Sequence, residues 1–186
     1  AVEAEVYAMA TLILSVLFWL GLKWESEMNT PYGDKWLLLI SFIIGLSFGV
    51  HFMGLFTIPA LGMLYYFKNV KKITIKNFIA ANIISVAILL FIFKLLLPST
   101  LAFFGRAEVY FVNSLNLPFN SGTIFCGLVL IIFFIYAINL TKKYNLINLN
   151  TGILCILFVL IGFSSWLMIP IRSNANTVIN ENSPTD

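Results

Sequence analysis

WLLLISFIIGLSFGVHFMGLFTIPALGMLYYF, residues 36–67, runs for thirty-two residues without an acidic or basic side chain, and His51 is its one group that titrates near neutrality. As a single straight helix it would measure about 48 Å, well beyond the roughly 30 Å of a bilayer's hydrocarbon. Such a stretch either tilts steeply or folds back. Gly45, Gly49, Gly54 and Pro59 bracket Val50-His51-Phe52, so the breakers fall where a reversal needs them. The spacing predicts two short spans, about 36–49 and 53–67, joined by a tight turn at His51. How that hairpin sits decides which polar residues share one side of the membrane.

The rest of the composition agrees with a membrane setting. Of the 186 residues, 60% are hydrophobic and 10% charged, and the mean hydropathy is +0.97. A soluble domain of this size could not hide so much apolar surface. Leu, Ile and Phe runs of helical length, with no period-2 alternation, point to helices rather than a barrel. The lysines stand at the ends of spans rather than in one stripe, which argues against a nucleic-acid partner. Cys126 and Cys155 fall inside apolar spans and, with one His, make no metal-ligand spacing; they read as small buried hydrophobes. No signal peptide is visible, and both ends look cut, as in a middle piece of a longer membrane protein.

Outward from the hairpin, residues 6–22 form a first span closed by Lys23-Trp24, and ESEMNTPYGDK makes a short polar loop. KNVKKITIKN carries Lys68, Lys71, Lys72 and Lys76, after which 78–97 spans again. Pro98 opens a connection reaching to about 122. Within it, 101–112 mixes Phe103, Phe104, Val109 and Tyr110 with Arg106 and Glu108, which suits an amphipathic helix lying in the membrane surface. Residues 123–140 and 151–170 are the last two spans, and 172–186 is a polar exit segment, truncated. The expected fold is therefore an all-α polytopic bundle of about six transmembrane helices, two of them short and paired as a hairpin, with one interfacial helix. The transmembrane domain covers 1–171.

Parity supports six spans. With the hairpin counted twice, Lys23, Lys35, Lys68, Lys71, Lys72, Lys76, Lys142 and Lys143 share one side, leaving Arg106 and Arg172 on the other. The positive-inside rule makes the lysine side cytoplasmic. The opposite, exoplasmic face then gathers Glu3, Glu5, His51, Lys94 near the end of its span, Arg106, Glu108, Arg172 and Asn174.

Each of these has a plain reading beside a functional one. Glu3 and Glu5 stand where a helix N-terminus favours negative charge; functionally, a carboxylate at the membrane surface is a general base or a ligand for a sugar hydroxyl. On a helix the two would point to nearly opposite faces, so only one could then serve a given site. His51 is either an interfacial imidazole or a donor to a phosphate or sugar oxygen. Lys94 either snorkels to the interface or meets a lipid-borne phosphate. Arg172 is either a headgroup-layer anchor or a planar fork for that phosphate, with Asn174 beside it. Gly45-x-x-x-Gly49 signals close helix packing rather than chemistry. Trp24, Trp36, Trp166 and the Tyr65-Tyr66 pair read as interfacial belt.

AVEAEVYA at the start, LKWE at 22–25, GLSFGVHFMGLFTIPALGMLYYF, FVNSLNLPFNSG at 111–122 and IRSNAN…NENSPTD at the end occur in an order that resembles a family of bacterial protein O-mannosyltransferase-like membrane proteins, within the C-type, polyprenyl-phosphate-sugar-dependent glycosyltransferases. Thr177-Val178-Ile179 departs from that family, where a proline-containing run is expected. The resemblance implies an enzyme that transfers a sugar, mannose by the family's name, from a polyprenyl-phosphate carrier to Ser or Thr hydroxyls of an acceptor protein. The site would lie on the periplasmic face of a bacterial inner membrane. It implies that Glu3 or Glu5 lies beside donor or acceptor, in the second exoplasmic acidic segment. A further acidic loop would lie upstream, so that this piece, without the rest of its polypeptide, is inactive. His51, Lys94, Arg172 and Asn174 are then candidates for the substrate phosphate. No resident cofactor is implied beyond the lipid-linked donor, and a divalent metal is compatible with the chemistry. Two other classes fit less of the sequence: a non-catalytic membrane subunit of an envelope or secretion assembly, and a transporter, which would want ionisable residues at mid-membrane.

Overall fold

The computed structural model describes residues 2–168, with side chains from Val6 onward. The described residues are helical with no strand, an all-α membrane protein. The rods are α1 (Val2–Glu27), α2 (Asp34–Ser47), α3 (Thr57–Asn69), α4 (Ile75–Leu90), α5 (Leu97–Asn113), α6 (Ser121–Lys143) and α7 (Ile147–Phe163). One 3-10 turn, Phe52–Phe56, leads into α3, and a second, Ser164–Leu167, follows α7. Four stretches are long and apolar enough to cross a membrane: Val6–Glu27, Ile75–Asn113, Ser121–Lys143 and Ile147–Leu167. At 1.5 Å per residue, α2 and α3 reach only about 20 Å each.

The chain does reverse at His51. Trp19 meets Trp36 edge-on at 6.0 Å near one end of α1, and Tyr7 faces His51 at 6.1 Å near the other, so α2 runs antiparallel to α1. Trp24 then stacks on Tyr65 at 6.1 Å, and Lys68 bonds Glu25 at 2.8 Å, so α3 returns alongside α1. The turn forms because α2 cannot continue: the Phe48, Gly49 and Val50 amides close onto the carbonyls of Gly45, Leu46 and Ser47, one residue short of helical spacing. His51 then takes an extended backbone and caps the 3-10 turn.

The principal core lies between these three rods, built from Leu17, Leu20, Trp24, Ile40, Ile44, Leu55, Ile58 and Leu61. Trp24 is therefore a core residue rather than part of the interfacial belt; the Tyr65 ring covers one of its faces. A second cluster joins Leu97 to Val159 and Phe163. The outer surfaces are openly apolar: Ile83 is 63% exposed and Ile132 65%. In lipid that exposure carries no penalty, and helices associate instead through close packing. The α2–α7 seam shows how. These rods run parallel, Asp34 beside Thr151 at one end and Phe48 against Phe163 at the other. Gly45 and Gly162 let the two backbones touch.

One expectation fails. The span 78–97 does not end in a connection at Pro98, and 101–112 is not a separate element; helix is continuous from Ile75 to Asn113, and only 114–120 links it to α6. Proline in mid-helix lacks an N–H and presses on the carbonyl four residues back, here that of Lys94. A π-helical turn, Phe91–Leu96, absorbs this: the Leu97 amide bonds the Ile92 carbonyl five residues back, widening the helix ahead of the ring. The amphipathic pattern of 101–112 remains, with Leu101, Phe104 and Glu108 on the half-buried side and Phe103, Arg106 and Tyr110 outward. The inner side is spent on α6: a Cβ added at Gly122 would strike the backbone of Ala107 and Glu108.

Both cysteines are free; Cys126 is fully buried with its Sγ 3.8 Å from the Phe103 carbonyl, and Cys155 is half-buried.

Candidate functional site

The centre of the candidate site is His51. Its Nδ1 accepts a hydrogen bond from the Met53 amide at 3.3 Å, which holds the cap on the 3-10 turn. A ring nitrogen that accepts carries no proton, so the neutral imidazole bears its hydrogen on Nε2. The ring stacks on Phe52 at 4.7 Å and is flanked by Tyr7 at 6.1 Å, both fixing its plane. The residue is half-buried.

Lys94 joins the same end through the aromatic relay Phe52–Phe93, 6.2 Å between centroids. Its Nζ lies 5.1 Å from the Phe93 ring centre, a cation–π contact, and the residue is exposed. The π turn carries it, so the same distortion that accommodates Pro98 sets the direction of this ammonium. α7 also ends here. Phe163 meets Phe48 at 5.5 Å and stacks on Trp166 at 6.1 Å. The Ser165 hydroxyl is buried without a hydrogen-bond partner, 3.0 Å from where a Cβ on Gly49 would stand.

The opposite end is the lysine-rich one. Lys35 pairs with Glu27 at 3.1 Å and Lys68 with Glu25 at 2.8 Å. The α6–α7 turn, following Lys142 and Lys143, is braced by Asn150 donating to Thr141 at 2.7 Å, close to the Asp34–Thr151 bond. The alternation of charge between the two ends, read from parity, thus coincides with the direction of the rods.

Of the residues singled out in the sequence, His51 and Lys94 occur at the same end, together with the start of α1 and the end of α7. Glu3 and Glu5 lie in the first turn of α1, where the backbone is helical. Positions two apart on a helix differ by roughly 200° in direction, so the two do not share a face. Arg172 and Asn174 lie outside the described residues. Glu108, grouped in the sequence with exoplasmic charges, is committed to structure: it accepts from the Asn120 amide at 2.6 Å and from the Thr123 amide and hydroxyl at 2.8 and 3.0 Å. Among the described residues no three His, Cys, Asp or Glu gather as a metal cluster would require.

Two participants were not foreseen. Tyr7 is an aromatic at a span end, and only its distance to His51 sets it apart. The signal available was register: Tyr7 follows Glu3 by four, one helical turn on the same face. Ser165 had no signal, since its importance comes from the lack of a partner.

Comparison with known proteins bears on the first three rods. No curated protein and no solved structure matches the chain. A family model does match, over residues 1–74, from α1 through the hairpin to the loop that precedes α4. Over that stretch, which contains His51 and the helix face carrying Tyr7, the chain is similar to the N-terminal domain of the protein O-mannosyl-transferase TMEM260.

Proposed function

We propose that the full-length protein is a membrane O-mannosyltransferase and that this chain supplies part of its membrane region, with the reacting groups at the His51 end. The observation that carries this reading is the match of residues 1–74 to an O-mannosyl-transferase domain. The donor is a mannose on a polyprenyl phosphate, and the acceptor is a Ser or Thr hydroxyl of a protein. The face is the outer one of a bacterial cytoplasmic membrane, because the lysines collect at the opposite end.

The chemistry is a displacement at the sugar's anomeric carbon. The acceptor oxygen attacks as a carboxylate removes its proton; the bond from the anomeric carbon to the phosphate oxygen breaks, and polyprenyl phosphate leaves. The leaving phosphate gains charge as it departs, so cationic and N–H donors near it act most strongly in the transition state. His51 Nε2–H and Lys94 fill that role on the bundle side, and Arg172 with Asn174 on the exit segment. Register favours Glu3 as the base, one turn before Tyr7, over Glu5.

The test is transfer of mannose from polyprenyl-phosphate mannose to a Ser/Thr peptide by the full-length protein. Glu3→Gln should lower the rate by about a hundredfold or more, with normal yield of folded protein. Near-normal rates for both Glu3→Gln and Glu5→Gln remove these carboxylates from the mechanism. A full-length wild type that transfers no sugar supports the non-catalytic subunit instead.

A further inference from the structure

Between the α3–α4 pair and the α2–α7 pair lies a cavity of about 660 Å³, lined almost wholly by apolar side chains. The wall formed by α4 and the π turn that follows it runs from Ala81 to Leu96. That is about 22 Å of helix, more than the roughly 15 Å depth of one leaflet's hydrocarbon. Its other limits include Leu37 on α2 and Gly152 on α7, and at the lysine-rich end it closes on Trp24, Tyr65, Tyr66 and Val70. A crevice this apolar holds no ordered water. Within a bilayer the material at hand to fill it is a hydrocarbon chain.

The charge at its mouth says what that chain is attached to. Val70 is followed at once by Lys71 and Lys72, and Lys76 stands on the first turn of α4; all three are exposed. Among the described residues none of them has a carboxylate within ion-pair distance, whereas Lys35 and Lys68 do. The loop that bears them is held in place. Asn77 donates to the Lys72 carbonyl at 2.8 Å and accepts from the Thr74 amide at 2.8 Å. The Tyr66 hydroxyl, itself on the cavity wall, donates to the same Asn77 side chain at 2.6 Å. The backbone that carries these lysines is thus tied to Tyr66, and both Tyr66 and the adjoining Val70 line the apolar slot.

We propose that this groove is a binding site for an anionic phospholipid, with one acyl chain between α2, α4 and α7 and its phosphate on Lys71, Lys72 and Lys76. The site is at the end opposite His51 and is independent of the sugar-transfer reading. The lipid would complete the packing between two helix pairs that otherwise leave an open slot.

Trp24 supplies the readout, because it lines the groove yet is 7% exposed and so shielded from bulk lipid. The full chain, with Trp19, Trp36 and Trp166 replaced by Phe, is placed in phosphatidylcholine nanodiscs containing a minor fraction of dibrominated lipid. Brominated phosphatidylglycerol should quench Trp24 at much lower mole fraction than brominated phosphatidylcholine, by roughly fivefold for each engaged lysine at low salt. Combining Lys71→Gln, Lys72→Gln and Lys76→Gln should abolish the difference. Gly152→Phe, at a position where a Cβ meets nothing within 4 Å, should remove quenching by either lipid. An unchanged helical signal by circular dichroism excludes misfolding as the cause. Equal quenching by the two lipids in the parent chain overturns the proposal, as does a preference that survives the triple substitution. Absence of quenching by both lipids overturns it too.

Discussion

Gly45 and Gly162 face each other across the α2–α7 seam: a Cβ placed on Gly162 would stand 3.0 Å from the carbonyl carbon of Gly45 and would press harder still on the Phe42 carbonyl oxygen. The obstruction is backbone, which cannot rotate aside. Gly45→Ala or Gly162→Ala should therefore lower stability by about 1–3 kcal/mol, seen as a reduced midpoint of thermal unfolding in detergent. Gly127→Ala, where nothing lies within 4 Å, should leave the midpoint unchanged or raise it slightly, because alanine favours helix by about 1 kcal/mol. Equal effects at Gly45 and Gly127 would mean the seam is not as close as described.

Glu108 ties α5 to the start of α6 by accepting two backbone amides and one hydroxyl. Glu108→Ala should leave the Asn120 and Thr123 amides without this acceptor and lower stability measurably. Hydrogen exchange at residues 120–123 is the direct check: protection should fall there and persist in the middle of α6. Loss of protection along the whole helix would point to a global defect instead.

The shared end of His51 and the first turns of α1 is open to a distance test. In a chain with Cys126 and Cys155 replaced by alanine, Tyr7→Cys with His51→Cys should link through a short thiol cross-linker, as the native rings lie 6.1 Å apart. Tyr7→Cys with Lys72→Cys should not, since Lys72 belongs to the other end. A membrane-impermeant thiol reagent should reach Cys at 51 from one side and Cys at 72 from the other. Labelling of both from one side would remove the reversal.

The Glu25–Lys68 pair, although only 2.8 Å long, is a third exposed on both partners. Solvent screening leaves such a pair with at most about 1 kcal/mol, so Lys68→Met should barely change the unfolding midpoint. A loss comparable to that of Gly45→Ala would show that this contact organises the α1–α3 interface.

The hairpin was legible because three kinds of information agreed at one place: an apolar run too long for one crossing, glycines and a proline around its middle, and lysines that sort to one side only if the run counts twice. The long α4–α5 rod was not, because Pro98 carries the same stop signal whether the helix ends or slips by one residue. The π turn that decides between them depends on geometry along 91–97, not on any residue type. Gly45 was readable as a packing position, but its partner Gly162 was not, since nothing in the sequence says that α2 and α7 are neighbours. At the candidate site His51 stood out by being alone. Tyr7 and Ser165 did not, because an aromatic at a span end and a serine near another are ordinary until their surroundings are known. Trp24 misled for the same reason: its position beside a lysine suits an interface, yet Tyr65 covers it.

The shortness of α2 bears on the lipid more than on the protein. The 14 residues of α2 leave a shortfall of about 10 Å against an unperturbed hydrocarbon layer, whereas the 13 of α3 reach about 30 Å once the five-residue 3-10 turn ahead of them is added. A crossing by so short a rod as α2 would draw the leaflets inward beside it. A dimple of this kind would bring phosphates of the surrounding bilayer toward the imidazole.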